Sequence, residues 1–314
     1  MILSPTTANI EKALNHLRAG ELIGLPTETV YGLAALATQD AAVAKIFEAK
    51  NRPTFNPLII HGATPEAFQE HVIWNDKADA LATAFWPGPL TMVLPRHETS
   101  SLTLLASAGL DSVAIRIPHH PVALALLKEL GNVLAAPSAN VSGRVSPTQA
   151  HHVKADFPDL LILEGGASVV GLESTIVDLT GPSPTLLRPG AILQEDIEAL
   201  LGPLGTPTET HIKAPGMLQS HYAPTLPVRL NAKAPTQDEA FLAFGPTPHQ
   251  GDYVLNLSVK GNLTEAAANL FKMLRLLDQP HLQGIAVAPI PCHGLGIALN
   301  DRLQRAAAPR ASAS

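Results

Sequence analysis

The chain has one cysteine, Cys292, in 314 residues, which excludes an internal disulfide or a cysteine-rich metal site and fits a reducing compartment. Charge is sparse as well. Asp, Glu, Lys and Arg make up 15% of the sequence, against roughly 25% in an average domain. The net charge is −6 and there is no basic run, so a protein whose main work is gripping nucleic-acid phosphates is disfavoured. No apolar stretch approaches the ~18 residues of a membrane span. Met1–Asn15 lacks a charged start followed by an apolar run, so no signal peptide is expected and the cytoplasm is the expected compartment.

The common chemical signatures are missing too. There is no Walker loop, and Gly294-Leu295-Gly296 has no third glycine to complete a dinucleotide fingerprint. No His-Glu-x-x-His occurs, and the adjacent pairs His119-His120 and His151-His152 point neighbours to different sides, so no metal ligands are assigned. The absence of Gly-x-Ser-x-Gly disfavours a serine hydrolase.

What is present is alternation of helices and short apolar strands. The periodicity predicts helices over 7–19, 40–50, 76–86, 121–130 and 147–156, with strands at 22–25, 58–61, 90–94, 113–117 and 133–136 and near Leu160, Thr175 and Thr185. The pattern is α/β with a largely buried sheet. A helix over 194–201 stops at Gly202, and a proline-rich stretch without period follows, which reads as a linker. Beyond it, strands near Val228 and over 253–257 and 285–288 alternate with helices over 264–278 and 295–307. Residues 1–205 carry 12 basic and 20 acidic residues and 206–314 carry 9 and 7, a shift that supports a boundary. The expected organisation is a first domain over 1–205, a linker over 206–226 and a small α/β domain over 227–314.

Polar segments after apolar strands are the candidate site. Pro26-Thr27-Glu28-Thr29-Val30-Tyr31-Gly32-Leu33 places hydroxyls at a strand end, suited to a small polar ligand, although Thr27 or Thr29 could simply cap a helix. In Lys50-Asn51-Arg52-Pro53-Thr54-Phe55-Asn56-Pro57-Leu58-Ile59-Ile60-His61, a point charge and a planar guanidinium suit polyphosphate, or else Lys50 only ends its helix. Ser112-Val113-Ala114-Ile115-Arg116 sets one arginine in an apolar strand, where it needs an anionic partner, either a structural carboxylate or a substrate's. Ala136-Pro137-Ser138-Ala139-Asn140-Val141-Ser142-Gly143 leads to Ser146-Pro147, where small residues let amides approach an anion or where Ser146 caps a helix. Glu173-Ser174-Thr175-Ile176-Val177-Asp178, Arg188-Pro189-Gly190 and the linker's His221-Tyr222-Ala223-Pro224 add further polar groups.

These segments in this order resemble the threonylcarbamoyl-adenylate synthase family in its long two-domain form, over nearly the whole chain. The resemblance implies a YrdC-type catalytic domain with a twisted, mostly buried sheet and flanking helices, a linker acting as a lid, and a smaller Rossmann-like α/β domain. It assigns Thr29, His61, Arg116, Ala136 and Ser174 to L-threonine, with Ala136 acting through its backbone. It assigns Arg52, Asn56, Ser112, Ser138, Ser146, Arg188 and Tyr222 to ATP, with Lys50 and Arg52 beside the phosphates as the catalytic cations. The linker departs from the family pattern at Ala214, Leu218, Gln219 and Ser220, where family members often carry serine and basic residues.

The implied reaction condenses L-threonine, bicarbonate and ATP, with Mg²⁺, to threonylcarbamoyl-AMP and pyrophosphate. A downstream transferase machinery then modifies a tRNA adenosine beside the anticodon, so stable tRNA binding by this chain is not expected. Such a transfer needs positioning and charge neutralisation more than a covalent nucleophile. The rival expectations are an RNA-binding or ribosome-maturation module, disfavoured by the acidic first domain, and an adenylating or carbamoylating enzyme for another amino acid.

Overall fold

The computed structural model describes residues 1–207, 214–215 and 220–309. The first unit comprises β1 (Ile2–Leu3), α1 (Thr7–Arg18), β2 (Ile23–Leu25), β3 (Gly32–Leu36), α2 (Asp40–Lys50), β4 (Ile59–His61), α3 (Asp76–Phe85), β5 (Leu90–Pro95), β6 (Ser112–Arg116), α4 (Pro121–Leu130), β7 (Leu134–Ala135), α5 (Ala150–Asp156), β8 (Leu161–Leu163), β9 (Thr175–Asp178), β10 (Thr185–Arg188) and α6 (Gln194–Leu201). Its ten strands form one mixed sheet in the order β1-β8-β2-β3-β7-β4-β6-β5-β9-β10. The second unit comprises β11 (Val228–Arg229), β12 (Glu239–Ala243), β13 (Val254–Asn256), α7 (Leu263–Leu277), β14 (Gly284–Val287) and α8 (Leu295–Ala307). Its four strands are all parallel, in the order β11-β14-β12-β13.

Local chemistry sets these boundaries. Thr6 caps α1 by accepting from the Asn9 amide, and Asn262 caps α7 by accepting from Glu265. The left-handed Gly131 closes α4. Three strands escape the periodicity: β1 is only two residues long, and β3 (Gly-Leu-Ala-Ala-Leu) and β12 (Glu-Ala-Phe-Leu-Ala) have both faces covered, so no polar alternation marks them.

Two sequence expectations need correction. The segment after β2 is not a helix start: the chain turns back, and β3 lies antiparallel beside β2 with Leu25 paired to Gly32. The helix expected from Pro147 begins instead at Ala150, with Gln149 at its cap. The carbonyls of Pro147 and Thr148 already accept from the Tyr31 and Ser168 amides, so that stretch is committed to neighbouring loop segments.

The two units share a core. Val30, Val145 and Leu172 of the first unit and Tyr222 pack with Leu270, Phe271, Leu299 and Leu303 of α7 and α8. Each such fully buried side chain contributes about 1.5–3 kcal/mol. Contact is closest at Gly171, whose φ is +72° and where an added Cβ would lie 2.5 Å from the Ala267 carbonyl oxygen and the Ala268 Cα. No helix among the described residues is long and apolar enough to cross a membrane.

Candidate active site

The sheet delivers the functional side chains from strand ends. β4 ends at His61 and β6 at Arg116, and these two residues are register partners in a parallel pair. β7 leads into Ala136, Pro137 and Ser138. Ser174 precedes β9, and Arg188 closes β10 antiparallel to it. Gly190 is needed here, because a Cβ would fall 2.3 Å from the Thr175 amide nitrogen and 2.8 Å from the Glu173 carbonyl oxygen. These ends surround one cavity, lined among others by Thr27, Thr29, Gly32, Arg52, His61, Arg116, Ala136, Ser138, Glu173, Ser174, Arg188, Pro215, His221 and Tyr222. All five residues assigned to threonine line it. Of those assigned to ATP, Arg52, Ser138, Arg188 and Tyr222 line it, whereas Asn56, Ser112 and Ser146 do not.

On the side the resemblance assigns to threonine, Arg116 is buried and donates through Nε to the Gly88 carbonyl (3.2 Å), Nη1 to Thr29 Oγ1 (2.8 Å) and Nη2 to Glu28 Oε1 (2.6 Å). A guanidinium has five N–H donors, so donors remain for a ligand. Thr27 Oγ1 donates to the Val30 carbonyl at 2.6 Å and accepts from the Thr29 and Val30 amides at 3.3 Å, which holds the loop carrying Thr29. Ser174 Oγ lies 2.7 Å from Thr91 Oγ1. His61 Nδ1 is 3.1 Å from the Ile59 carbonyl, which can only accept, so Nδ1 carries the proton and Nε2 is left as an acceptor. Burial, reinforced by the charge of Arg116, pushes the His61 pKa down to about 3 and keeps the ring neutral.

The other side is cationic. Arg52 donates to the carbonyls of Asn56 (3.0 Å) and Pro57 (2.7 Å). Arg188 donates to the Ser174 carbonyl (3.0 Å), Ser174 Oγ (3.1 Å) and the Pro215 carbonyl (3.1 Å). Both guanidiniums are buried, and among the described residues neither has a carboxylate partner. Burial lowers both pKa values, that of Arg52 to about 9. Lys50 is also buried, but its ammonium donates to the Ser138 and Asn140 carbonyls, each at 2.5 Å, and it stands behind the cavity wall rather than in it. Burial, then Arg52, pushes its pKa well down. Ser112 is half-buried at the start of β6, the opposite end from Arg116. Asn56 is buried, and its Oδ1 has no partner among the described residues.

Linker residues form one wall. The Ala223 amide donates to the Gly143 carbonyl at 2.8 Å and the His221 amide to the Arg305 carbonyl at 3.2 Å. Tyr222 is fully buried in a left-handed conformation (φ 60°), stacked on Phe271 with ring centroids 5.4 Å apart. Its hydroxyl has no partner among the described residues. His221 is held neutral by burial first, then by the charges of Arg52, Lys50, Arg188 and Arg302. Of the linker departures, Ala214 is buried, Ser220 is half-buried, and Leu218 and Gln219 lie outside the described residues, as do 208–213 and 216–217 of the expected lid.

Sequence reasoning missed Glu173, His221 and Pro215 as wall residues and Glu28 as the partner of Arg116. Glu28, Glu173 and His221 stand beside assigned residues in the quoted segments, so their position was the available signal. Ser146 does not cap a helix: its hydroxyl donates to Glu173 Oε1 at 2.5 Å. Among the described residues, no group of three or more His, Cys, Asp or Glu could hold a metal ion.

Comparison with known proteins covers both units. The family model described as "Telomere recombination", the Sua5, YciO and YrdC group, matches residues 15–190, and that described as "Threonylcarbamoyl-AMP synthase, C-terminal domain" matches 192–308. Threonylcarbamoyl-AMP synthase of Pyrococcus abyssi is 40% identical over 96% of this chain and 94% of its own length. That of Bacillus subtilis is 38% identical over 98% and 95%. The crystal structure of P. abyssi Sua5 complexed with L-threonine superposes with a TM-score of 0.90 at 37% identity, covering 98% of this chain and 97% of that one.

Proposed function

The chain belongs to the two-domain threonylcarbamoyl-AMP synthase family, and from that premise we propose how its cavity carries out the family's reaction. The chain is an enzyme of the nucleotidyltransferase type that joins L-threonine, bicarbonate and ATP into threonylcarbamoyl-AMP with release of pyrophosphate. The observation that carries the nucleotide half is the pair Arg52 and Arg188, two buried guanidiniums that face one cavity with neutral oxygens as their partners. A buried cation without a counter-ion is costly, so the site is built to receive an anion. A triphosphate supplies one.

On the other side of the cavity, the free donors of Arg116 take the threonine carboxylate, with Thr29 Oγ1 beside them. The Nε2 lone pair of neutral His61 and the Ser174 hydroxyl face the polar remainder of the amino acid. The neutral threonine amine forms an N–C bond to bicarbonate, whose C–OH bond breaks, the hydroxyl leaving as water with an amine proton, and the carbamate oxygen so formed attacks the α-phosphate. The P–O bond to pyrophosphate breaks, and Arg52 and Arg188 offset the charge on the departing oxygens. Tyr222, His221 and Pro215 wall the reaction off from water, which protects a mixed anhydride from hydrolysis.

Mg²⁺ enters this scheme as part of the nucleotide. Glu173, which lines the cavity, and Glu28, which holds the lining residue Arg116, are both paired with arginines, so these carboxylates do not form a resident magnesium site. No step is assigned to the ion. The product passes to a tRNA-modifying transferase in the cytoplasm, and the acidic first unit fits release of a small activated molecule rather than tRNA docking. The test is mass analysis of products after incubation with Mg·ATP, bicarbonate and each amino acid in turn. Threonylcarbamoyl-AMP formed with threonine alone supports the proposal, and formation of product only with another amino acid, or none at all, refutes it.

A further inference from the structure

The second unit touches the cavity wall through Phe271, stacked on Tyr222, and through one buried charged side chain. Arg302, on α8, is 0% exposed, and its Nε donates to Glu173 Oε2 at 3.0 Å and its Nη2 to the Glu173 carbonyl at 3.4 Å. Glu173 lines the cavity in the wall that also holds Arg188 and precedes Ser174. Its other oxygen accepts from Ser146 at 2.5 Å. Arg302 is further held by Asp301 at 2.6 Å, and its guanidinium lies 5.4 Å from the centre of the Tyr222 ring.

The charges make this more than a strut. A bare carboxylate at Glu173 would place an anion in the wall of a pocket where Arg52 and Arg188 serve a triphosphate. Arg302 cancels that charge from behind, in a setting where water cannot screen it. The Ser146 proton is spent on Glu173, and because Ser146 is fully buried outside the cavity lining, its hydroxyl braces Glu173 from behind the wall.

We propose that Arg302 is a positioning residue for the nucleotide subsite, masking the charge of Glu173 and fixing Ser146, so that the C-terminal domain is part of the ATP site. This rests on the nucleotide reading of the cavity given above. A merely structural role for the pair predicts that losing Arg302 harms ATP and threonine alike, that Glu173→Gln, which leaves Arg302 buried without this partner, weakens ATP, and that the double variant recovers without favouring ATP over threonine. Masking predicts opposite signs.

The test uses the full chain and measures Mg·ATP affinity by calorimetry, threonine KM and kcat by pyrophosphate release, and folding by circular dichroism. Arg302→Met should weaken ATP at least about tenfold, because it leaves a buried carboxylate unpaired beside the phosphates, while threonine KM moves far less. Arg302→Lys, which keeps the charge, should restore most of the affinity. Glu173→Gln should tighten ATP binding, and the double variant Glu173→Gln/Arg302→Met should bind ATP better than Arg302→Met alone. The proposal is overturned if folded Arg302→Met binds ATP like the wild type, or if the double variant is as weak as the single one or weaker. Should Arg302→Met fail to fold, Glu173→Gln decides, since weaker ATP binding there contradicts masking. A wild-type chain that binds ATP but forms no threonine-dependent product would overturn the functional reading and leave the masking to be judged by affinity. One that binds no Mg·ATP overturns both.

Discussion

Arg116 and Glu28 form a 2.6 Å ion pair in which both side chains are 4% exposed, so the arginine has its counter-ion before any substrate arrives. The carboxylate that an apolar strand with one arginine demands is thus supplied by the chain itself, from the loop after β2. Removing the charge would strand Glu28 at a cost of about 3–5 kcal/mol, which would confuse binding with folding. Arg116→Lys avoids this. Lysine keeps the charge and loses the planar fork, so threonine KM should rise by about tenfold or more with ATP affinity nearly unchanged. Steady-state kinetics on a folded variant checks this, and unaltered threonine KM would remove Arg116 from the amino-acid subsite.

Arg188 has no such partner among the described residues, and ligand-dependent melting reads out the difference. Mg·ATP at a hundred times its Kd should stabilise the wild type by about 2.7 kcal/mol. In Arg52→Met or Arg188→Met the same nucleotide concentration should give a much smaller rise in melting temperature, and turnover should fall by about 10²-fold. Equal rises in variant and wild type would move the triphosphate elsewhere.

Lys50 calls for a separate expectation, since its ammonium holds the Ser138 and Asn140 carbonyls from behind the wall. Lys50→Met should lower turnover about 10²-fold, as a preorganised contact is lost, and should also lower the melting temperature in the absence of nucleotide. Near-normal pyrophosphate release would reduce Lys50 to the end of its helix.

Acid should weaken the fold through buried histidines. His61 and His152 each have a pKa lowered by burial to about 3, against 6.5 when unfolded. Because the unfolded chain binds more protons in that window, the stability they contribute is intact above pH 6.5 and is lost as pH falls toward 3. For a fully buried His61, each pH unit below 6.5 costs about 1.4 kcal/mol. Urea melts at pH 7.5 and 5.5 should show the loss, and His61→Asn should shrink it. An identical pH slope in that variant would mean that His61 titrates normally.

Tyr222 combines good packing with a hydroxyl that has no partner among the described residues. Tyr222→Phe should leave the ligand-free fold as stable or more so, since removing an unpaired buried hydroxyl relieves about 1–3 kcal/mol, yet it should weaken ATP. Tyr222→Ala should lose about 3–5 kcal/mol of packing against Phe271. Chemical denaturation and calorimetry separate the two, and a Phe variant with full ATP affinity would limit Tyr222 to packing.

Much of the scaffold was legible because most elements carry local signals. The helices 40–50, 121–130, 194–201 and 295–307 fall where periodicity and stop signals put them. β3 and β12 were not legible, since alanine-rich runs buried on both faces carry no alternation. At the site, hydroxyls and cations clustered after strands marked the loops that converge on the cavity. Their partners were hidden: Glu173 and Arg302 meet across 129 residues of chain, and no local pattern in an amphipathic helix distinguishes an arginine that points inward from one in water. Ser146 followed by proline looks like a helix cap until the carbonyls of Pro147 and Thr148 are seen to be taken by other segments.

Gly171 ties the histories of the two units together. Its missing side chain is the space occupied by the backbone of α7, at a positive φ that other residues resist. A substitution there would act as a wedge whose damage grows with its size, prying the helix that carries Phe271 away from Tyr222 and the wall below it. The seat of α7 on the first unit therefore depends on the absence of a side chain at this one position. A hybrid joining this C-terminal unit to a foreign catalytic unit needs glycine at that position before any choice of linker matters.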